Sequence, residues 1–292
     1  MGLGEVSLES VSTGLLKQGY IPSPQIVTSV YLAMRLGRPL LVEGDPGCGK
    51  TELAKAISGM LGASLIRLQC YDGLDVSSAL YDWNYMKQIM EIRIRQARSD
   101  LSNLEEDIFS EKFLMKRPLL QALLRKGDTP TVLLIDEIDR TDEEFEGFLL
   151  EFLGEFQVTV PEVGTFRAEK PPIVILTSNR TRELGDGLRR RCLYLYLTYP
   201  DRDREMEIVR TKLPRVGNEL VADVVKAVSS LRSSNAITKR PGISESIAWA
   251  EALDSLGKHS LDYPSAVETL SCVLKTPEDL EEARKIMDEH FK

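Results

Sequence analysis

A glycine-rich segment between a short apolar run and a helix-like run constrains the fold of this chain more than any other feature. The segment is Gly44-Asp45-Pro46-Gly47-Cys48-Gly49-Lys50-Thr51, which reads G-x-x-x-x-G-K-T. Residues 39–43 before it read as a strand, and residues 52–57 after it repeat with helical spacing. In such a unit the glycines let successive backbone N–H groups turn around phosphate oxygens, and the helix directs its positive end toward them. The segment therefore predicts a loop that binds the phosphates of a nucleoside triphosphate.

Two side chains of this loop have distinct expected roles. Lys50 is expected to reach the β- and γ-phosphate oxygens of ATP, and the Thr51 hydroxyl is expected to bind Mg²⁺. With the next residue, Glu52, the predicted nucleotide-binding segment covers Gly44 to Glu52. A chance match in a glycine-containing turn is the alternative interpretation, and the flanking strand and helix favour the phosphate loop.

A second motif lies at residues 131–137, where a continuous apolar run ends in two acids, Asp136 and Glu137. Such a run is typical of a strand buried on both faces of a parallel sheet, and ligands bind at the carboxyl ends of these strands. Asp136 is therefore expected to hold Mg²⁺ through water, and Glu137 to polarise the water that attacks the γ-phosphate. The alternative interpretation is a pair of solvated acids at a strand end.

Two further positions complete the predicted catalytic set. Asn179 follows the apolar run at residues 173–177, so its amide is expected near the γ-phosphate, where it can bind both the phosphate and the attacking water. Residues 189–191 are three arginines ahead of the next apolar run. Arg190 and Arg191 are candidates for an arginine finger that reaches the γ-phosphate of a neighbouring subunit, and Arg191 is favoured because it lies nearest the following strand. Ordinary surface charge is the alternative interpretation for them.

Composition limits the remaining possibilities. The chain has 292 residues, with 45 acidic and 37 basic side chains and a net charge of −8, which argues against general nucleic-acid affinity. No apolar run could span a membrane, and the first residues lack the features of a secretion signal, so a cytoplasmic location is expected. The four cysteines and two histidines are too scattered to predict a zinc site, a disulfide framework or a histidine triad.

The order of strand-like and helix-like segments predicts an α/β fold with a five-stranded parallel sheet. The five strand candidates are residues 40–43, 64–68, 132–135, 173–177 and 192–197. After Pro200 the apolar residues recur only at spacings of three and four, so we predict an α/β domain over 1–200 and a helical domain over 201–292. Two segments read as insertions, a long charged helical stretch at about 80–117 and a β-hairpin at about 156–170.

Together, the loop, the two strand-end acids, Asn179 and the arginines resemble the AAA+ ATPases, which have a P-loop NTPase core and an α-helical lid domain. The resemblance to the MoxR branch covers about residues 15–285. Residues 68–75, 134–140 and 176–184 are similar to the subgroup associated with maturation of the molybdenum–copper carbon monoxide dehydrogenase.

This resemblance implies a homo-oligomer, a hexameric ring that couples ATP hydrolysis to remodelling of a client. It also implies a von Willebrand factor A domain protein as a partner and an immature metalloenzyme as the client. The two insertions are expected to face the ring pore or the client. Members of the family carry an arginine at the start of a lid helix as a second sensor of nucleotide. Here Ser244 occupies that region and fits a helix N-cap, and the nearest candidate arginine is Arg240.

Exposed apolar groups would mark the client surface. The candidates are Tyr81, Trp83 and Tyr85 in the first insertion and Val160 and Val163 at the hairpin tip; packing on the core of the same subunit is the alternative. An ATP-driven remodeller is the leading functional hypothesis, and an ATP-dependent switch or scaffold with little turnover is the second. A phosphotransferase is disfavoured because Glu137 suits water activation, and a GTPase is disfavoured because no N-K-x-D motif is present.

Overall fold

The fold alternates strands and helices before ending in helices alone. A computed structural model describes residues 6–98, 104–125, 127 and 129–292. In chain order the strands are β1 (Leu40–Gly44), β2 (Ser64–Gln69), β3 (Tyr81–Trp83), β4 (Leu114–Lys116), β5 (Thr131–Asp136), β6 (Gln157–Val160), β7 (Gly164–Arg167), β8 (Ile173–Ser178) and β9 (Leu193–Leu197). The helices are α1 (Leu8–Lys17), α2 (Pro24–Leu36), α3 (Lys50–Leu61), α4 (Val76–Ala79), α5 (Tyr85–Ala97), α6 (Leu104–Ile108), α7 (Pro118–Leu124), α8 (Glu143–Glu155), α9 (Asp186–Arg191), α10 (Arg202–Lys212), α11 (Asn218–Ser233), α12 (Ile243–Ser255), α13 (Tyr263–Thr269) and α14 (Pro277–His290).

Five strands form one parallel sheet in the order β2-β5-β8-β1-β9, which confirms the predicted fold class. Successive residues of each strand point to opposite faces. In β5, Val132 and Leu134 therefore pack with α1, α2 and α3 on one face, while Leu133 and Ile135 pack with α7 and α8 on the other. Burial on both faces explains why the three inner strands β1, β5 and β8 read as apolar runs, whereas the edge strands β2 and β9 are only partly buried.

The sheet brings the predicted site residues together, because the carboxyl ends of its parallel strands share one edge. Gly44 ends β1, Asp136 ends β5 and Ser178 ends β8. Strands β5 and β1 both pair with β8, so the phosphate loop, Glu137 and Asn179 follow from neighbouring strand ends.

The second insertion has the structure that its sequence predicts, and the first does not. Strands β6 and β7 form the predicted antiparallel hairpin. The prediction of one long helical stretch over residues 80–117 is wrong, because β3 and β4 close this segment as a two-stranded antiparallel ribbon around α5 and α6. Trp83 pairs with Leu114 across 30 residues of chain, and such a contact leaves no local pattern in strands of three residues. Residues 99–103, within the predicted helix, lie outside the described residues.

Most of the apolar side chains proposed as client-facing pack on their own subunit. Trp83 and Val160 are buried in the cluster that covers one face of the sheet, and Val163 packs against the same cluster. Trp83 also meets Phe109 edge to face, with ring centroids 5.3 Å apart. The expectation that these three side chains are exposed is therefore wrong, while Tyr85 is 61% exposed.

The helices after β9 share an apolar cluster of their own, which runs from Val209 in α10 to Met287 in α14. The prediction of Ser244 as a helix N-cap is wrong, since α12 begins at Ile243 and its N-cap is Gly242. The Gly242 N–H donates to the Glu245 carboxylate at 2.9 Å, so the acid satisfies the N-terminal donor. Within the described part of the chain, no helix combines the length and the apolarity needed to cross a membrane.

Candidate nucleotide site

The glycine-rich loop has the backbone geometry that its sequence predicts. It leads from β1 into α3, whose first residue is Lys50 and whose N-cap is Gly49. A Cβ at Gly44 would lie 2.2 Å from the Leu197 carbonyl oxygen, and Gly47 has a left-handed φ of 75°. Larger side chains are therefore excluded at these two positions by sterics and by backbone strain.

The Lys50 ammonium is buried inside this loop. Its Nζ donates to the carbonyl oxygens of Gly44 and Asp45 at 2.7 and 2.8 Å. A single cation thus lies at the centre of the loop, beside the N-terminus of α3, where an anionic phosphate is stabilised.

The carboxylate of Asp136 is the centre of a polar cluster at the end of β5. Its Oδ1 accepts hydrogen bonds from the Thr51 hydroxyl, at 3.1 Å, and from the Thr177 hydroxyl. Its Oδ2 accepts from Nε and Nη2 of Arg67, at 3.0 and 2.5 Å. The Thr51 hydroxyl and the Asp136 carboxylate are hard oxygen donors in mutual contact, and this donor set fits Mg²⁺.

Sequence reasoning missed Arg67 and Thr177. Arg67 lies on β2 two residues before Gln69, which is in register with Asp136 on β5. Polar residues at alternating positions near the end of a strand were the available signal, but they are equally typical of a half-solvated strand. Thr177 is fully buried at the end of β8, where its hydroxyl also accepts the Glu137 N–H at 2.9 Å.

Glu137 follows Asp136 in a left-handed conformation, with φ of 57°. This conformation is uncommon for a residue other than glycine and is typical of functional sites. Its Oε2 lies 2.8 Å from Arg140 Nε, and its Oε1 lies 3.5 Å from the Asn179 amide nitrogen. The structure therefore places both predicted groups, the acid and the amide, side by side at the strand ends.

Asp139 holds the segment that carries Asn179. Its buried carboxylate accepts the backbone N–H groups of Asn179 and Thr181, at 3.2 and 2.8 Å, and the Thr181 hydroxyl at 2.7 Å. Burial opposes ionisation, but the hydrogen bonds from Thr181 and Asn179 outweigh it, so the pKa of Asp139 is below its ordinary value. Asp139 is thus a positioning residue that the sequence analysis did not assign.

Two adjacent chambers flank the loop. The first is an open cleft whose apolar walls are built by Tyr20, Ile21, Ile26, Leu197, Ile208, Ile243 and Ile247, with Arg204 and Lys212 also in its lining. The second is more polar, and it is lined by Lys50, Thr51, Asp136, Glu137, Thr177 and Asn179. Gly47, Gly49, Glu52 and Ser244 line both. One chamber can take an aromatic base while the other takes phosphates and metal.

The C-terminal helices touch the loop directly. The Ile243 N–H, at the start of α12, donates to the Gly47 carbonyl oxygen at 3.0 Å. A Cβ built on Gly242 would lie 2.7 Å from the Gly47 Cα, so the two glycine backbones are in contact. The Tyr199 hydroxyl also donates to the Pro46 carbonyl at 3.0 Å. Arg240, the predicted second sensor, is exposed and is not among the residues that line either chamber; Ser244 lines both.

The arginines of α9 lie outside both chambers of their own subunit. The Arg190 side chain is 84% exposed, 4.0 Å from Asp186. Arg191 instead donates from Nη1 to the Leu150 carbonyl at 2.5 Å. Arg38 donates to the carbonyl oxygens of Arg190 and Arg191, at 2.6 and 3.1 Å, and so fixes the end of this helix. The two candidate finger residues therefore differ in how free their guanidinium groups are.

Three cysteine thiols are buried, and two of them, Cys48 and Cys70, lie near the site. Burial raises the pKa of the Cys70 and Cys192 thiols to about 12, and burial also raises the pKa of Cys48 within the loop. These thiols stay protonated at neutral pH, so they are neither nucleophiles nor metal ligands there.

The parallel sheet, the phosphate loop and the strand-end acids define a P-loop nucleotide-binding protein. The sequence profile of the ATPase family associated with various cellular activities (AAA) matches residues 40–197, which is more than half of the chain. This chain therefore belongs to the AAA family of ATPases, which makes ATP the nucleotide of the site.

Similar proteins agree with this assignment. The gas vesicle ATPase GvpN of Haloferax mediterranei is 28% identical, over 89% of this chain and 77% of that protein. An uncharacterized protein of Staphylococcus haemolyticus is 24% identical, over 83% of this chain and 86% of that protein. A mutant RuvB of Thermotoga maritima has a similar structure, with a TM-score of 0.51, 18% identity, and coverage of 92% of this chain and 72% of that one. At that identity the likeness concerns the fold alone.

Proposed function

We propose that this protein is a Mg²⁺-dependent ATPase that works in a ring of identical subunits and uses ATP hydrolysis to remodel a partner protein. The observation that carries the proposal is the convergence of a buried lysine, two acids and an amide in one polar chamber, next to an apolar chamber. These are the parts that phosphoryl transfer to water requires.

Each group has a role in this proposal. The base of ATP lies in the apolar chamber, and Lys50 moves from the loop carbonyls to the β- and γ-phosphates. Thr51 and Asp136 would hold Mg²⁺, which would neutralise phosphate charge. Glu137 accepts a proton from the attacking water, and the Asn179 amide, fixed by Asp139, orients that water against the phosphate.

In this proposal a neighbouring subunit of the ring supplies a further positive charge to the γ-phosphate. The two arginines that contact the lining acids, Arg67 and Arg140, are each ion-paired to a carboxylate, so a guanidinium from a neighbouring subunit is proposed to offset charge in the transition state. Arg190 is better suited than Arg191, because the Arg191 guanidinium is engaged with the Leu150 carbonyl of its own subunit. The MoxR-type resemblance supports six subunits. With Arg240 away from the chambers, the contact of α12 with Gly47 takes the place of an arginine second sensor.

The client is proposed to be a protein, with a von Willebrand factor A domain protein as co-partner. Residues 68–75, 134–140 and 176–184 support an immature metalloenzyme such as carbon monoxide dehydrogenase. The relatives named gas vesicle ATPase suggest a different setting, in which the partner belongs to gas vesicles. Neighbouring genes discriminate between the two, since the client of a dedicated remodeller is expected to be encoded nearby.

A switch or scaffold with little turnover is the second candidate. The observation that favours it is that both strand-end acids are ion-paired within the chain, Asp136 with Arg67 and Glu137 with Arg140. A carboxylate that is engaged by a cation of its own chain must leave that ion pair before it can contact metal or water, so basal hydrolysis would be slow.

The test is Glu137→Gln, which keeps the shape of the side chain and removes its basicity. We expect ATP affinity by calorimetry to stay within about twofold, and phosphate release to fall by about a hundredfold or more. Glu144→Gln, on the exposed face of α8, is the control, and it should retain the parental ATP affinity and the parental rate of phosphate release. Equal turnover in Glu137→Gln and the parent protein would remove Glu137 from the mechanism. Low parental turnover that no partner stimulates would favour the switch.

A further inference from the structure

Helix α5 is amphipathic in the reverse of the usual sense, with its apolar face toward solvent. Four apolar side chains at helical spacing form what we call the outer stripe: Met86, Ile89, Met90 and Ile94, which are 71, 46, 63 and 47% exposed. Single exposed apolar residues are normal on proteins, but a contiguous stripe on one helix is typical of a contact surface.

The opposite face of α5 is polar and is tied to the same subunit. Gln88 is buried and donates from Nε2 to the Ile108 carbonyl at 2.7 Å. Arg95 pairs with Glu91 at 3.1 Å and with Asp107 at 2.7 Å, and Lys112 lies 3.4 Å from Glu91. These contacts fix the rotation of the helix, because turning the outer stripe inward would break them and would leave Gln88 without its acceptor.

We propose that the outer stripe is a docking surface for an apolar segment of a different protein, and that this segment carries a carboxylate. The inference rests on the proposed function, since it names the chemistry of the partner on which the ATPase acts. Two of the four stripe residues are methionines, whose flexible and polarisable side chains adapt to more than one apolar sequence.

The positive charge of Arg93 beside the outer stripe favours a partner segment that carries a carboxylate. Arg93 is exposed and lies on the same outward side, three residues after Met90 and four after Ile89. Glu91 is the one acid of α5, and it is already bound to Arg95 and Lys112 on the inner face. Among the described residues Arg93 has no ion-pair partner within 4.0 Å, so the outer stripe presents a positive charge that a partner carboxylate complements.

A second copy of this chain fits the stripe poorly. Pairing two α5 helices by their outer stripes would bring two Arg93 side chains toward each other. Elsewhere in the described part of the chain, exposed large apolar residues occur singly or in pairs, and the pair on α2, Leu32 and Leu36, is flanked by Arg35 and Arg38. Like charges would therefore oppose that contact too.

The experiment uses the full-length protein and two fluorescent helical peptides of about 18 residues, or five turns. Both carry the same leucine stripe, and one has glutamate where the other has lysine. Fluorescence anisotropy should show tighter binding of the glutamate peptide. Replacing both Met86 and Met90 with Ser should weaken that binding about tenfold or more, because apolar burial is lost. Arg93→Glu should reverse the preference between the peptides.

Leu256→Ser is the matched control, since Leu256 is 62% exposed on the C-terminal helices and far from α5 in sequence. It should bind the glutamate peptide like the parent. Equal binding of both peptides, no binding of either, or no effect of the Met substitutions would overturn the inference. So would binding of anionic lipid vesicles in place of the peptide, or a change of oligomeric state on substitution of Met86 and Met90. ATP binding and turnover, measured in parallel, report on the proposed function separately, because the outer stripe lies outside both chambers.

Discussion

At the scale of single residues, each strand-end acid of the nucleotide site is held by a cation of the same chain. The Arg67 side chain, half exposed, places two nitrogen atoms on one oxygen of the buried Asp136. Thr51 and Thr177 occupy the other oxygen. A buried carboxylate without a counter-charge is costly, so Arg67 stabilises Asp136 and competes with any metal that approaches it.

Arg67→Gln should therefore lower the Mg²⁺ concentration needed for half-maximal binding of a fluorescent ATP analogue by about tenfold, because no charged partner has to be displaced. In the absence of Mg²⁺ the variant should also unfold at a lower temperature, since Asp136 is then unpaired. Arg210→Gln, an exposed arginine on α10, is the control. An unchanged or higher Mg²⁺ midpoint in Arg67→Gln would mean that Arg67 does not compete with the metal.

A second prediction for a single residue concerns Asp139 and the pH dependence of the stability that its carboxylate contributes. Its folded-state pKa is below the ordinary value, so its contribution to stability is present above that value and is lost as the pH falls through the folded pKa. Asp139→Asn should reduce the unfolding free energy at pH 7 by about 1–3 kcal/mol, because an amide cannot accept all three hydrogen bonds. The difference between the two proteins should narrow as the pH falls from about 5 toward 2.

Chemical denaturation across that pH range checks whether the stability difference between the parent and Asp139→Asn narrows toward acid. ATP turnover of Asp139→Asn at pH 7 should fall more than ATP affinity does, since the carboxylate orients Asn179 and makes no contact with the phosphate loop. A stability difference that is constant or widens toward acid would show that the ionised form of Asp139 is not the stabilising one.

At the scale of elements, the contact between α12 and the phosphate loop depends on two glycines. Gly242→Ala would put a methyl group 2.7 Å from the Gly47 Cα and 3.0 Å from its carbonyl carbon. The start of α12 must then move away, and the hydrogen bond from the Ile243 N–H to Gly47 weakens. We expect faster hydrogen exchange at Ile243, and ATP affinity lower by about tenfold, from an overpacking cost of about 1–3 kcal/mol.

Gly147→Ala is the matched control for that substitution. Gly147 is helical, and a Cβ there meets nothing within 4 Å, so the variant should be as stable as the parent or slightly more so. If Gly242→Ala bound ATP with parental affinity while exchange at Ile243 rose, the contact would be shown to be unrelated to nucleotide.

The sequence could predict some elements of the fold and the site, but it could not predict others. The inner sheet strands β1, β5 and β8 are predictable because burial on both faces requires apolar runs. The ribbon of β3 and β4 is not, since its three-residue strands pair across 30 residues. The order of residues predicts that Asp136, Glu137 and Asn179 share one edge, but the approach of Arg67 from β2 depends on side-chain reach. The contact of Gly242 with Gly47 likewise arises only when the helices fold back on the loop.

At the scale of the whole molecule, the arginines near the polar chamber differ in how free they are. The chamber contains the lysine, the acids and the amide, and the guanidinium groups of Arg67 and Arg140 are engaged by its two acids. The exposed Arg190 lies on α9, outside the chamber, and its backbone is anchored by Arg38. A solvent-facing guanidinium on an anchored helix is suited to reach the site of a neighbouring copy, and under the proposed function hydrolysis would then depend on assembly.

Arg190→Ala should therefore bind ATP with parental affinity and hydrolyse it about a thousandfold more slowly. Arg191→Ala should lose less of the hydrolysis rate than Arg190→Ala, because the Arg191 guanidinium is bound to the Leu150 carbonyl. Mixing Arg190→Ala subunits with Lys50→Ala subunits should restore part of the activity, since some interfaces then join an intact phosphate loop to an intact arginine. Phosphate release by the mixture and by each variant alone, at equal total protein, is the measurement. Parental activity in dilute monomers, or a larger loss in Arg191→Ala than in Arg190→Ala, would contradict this account of the ring.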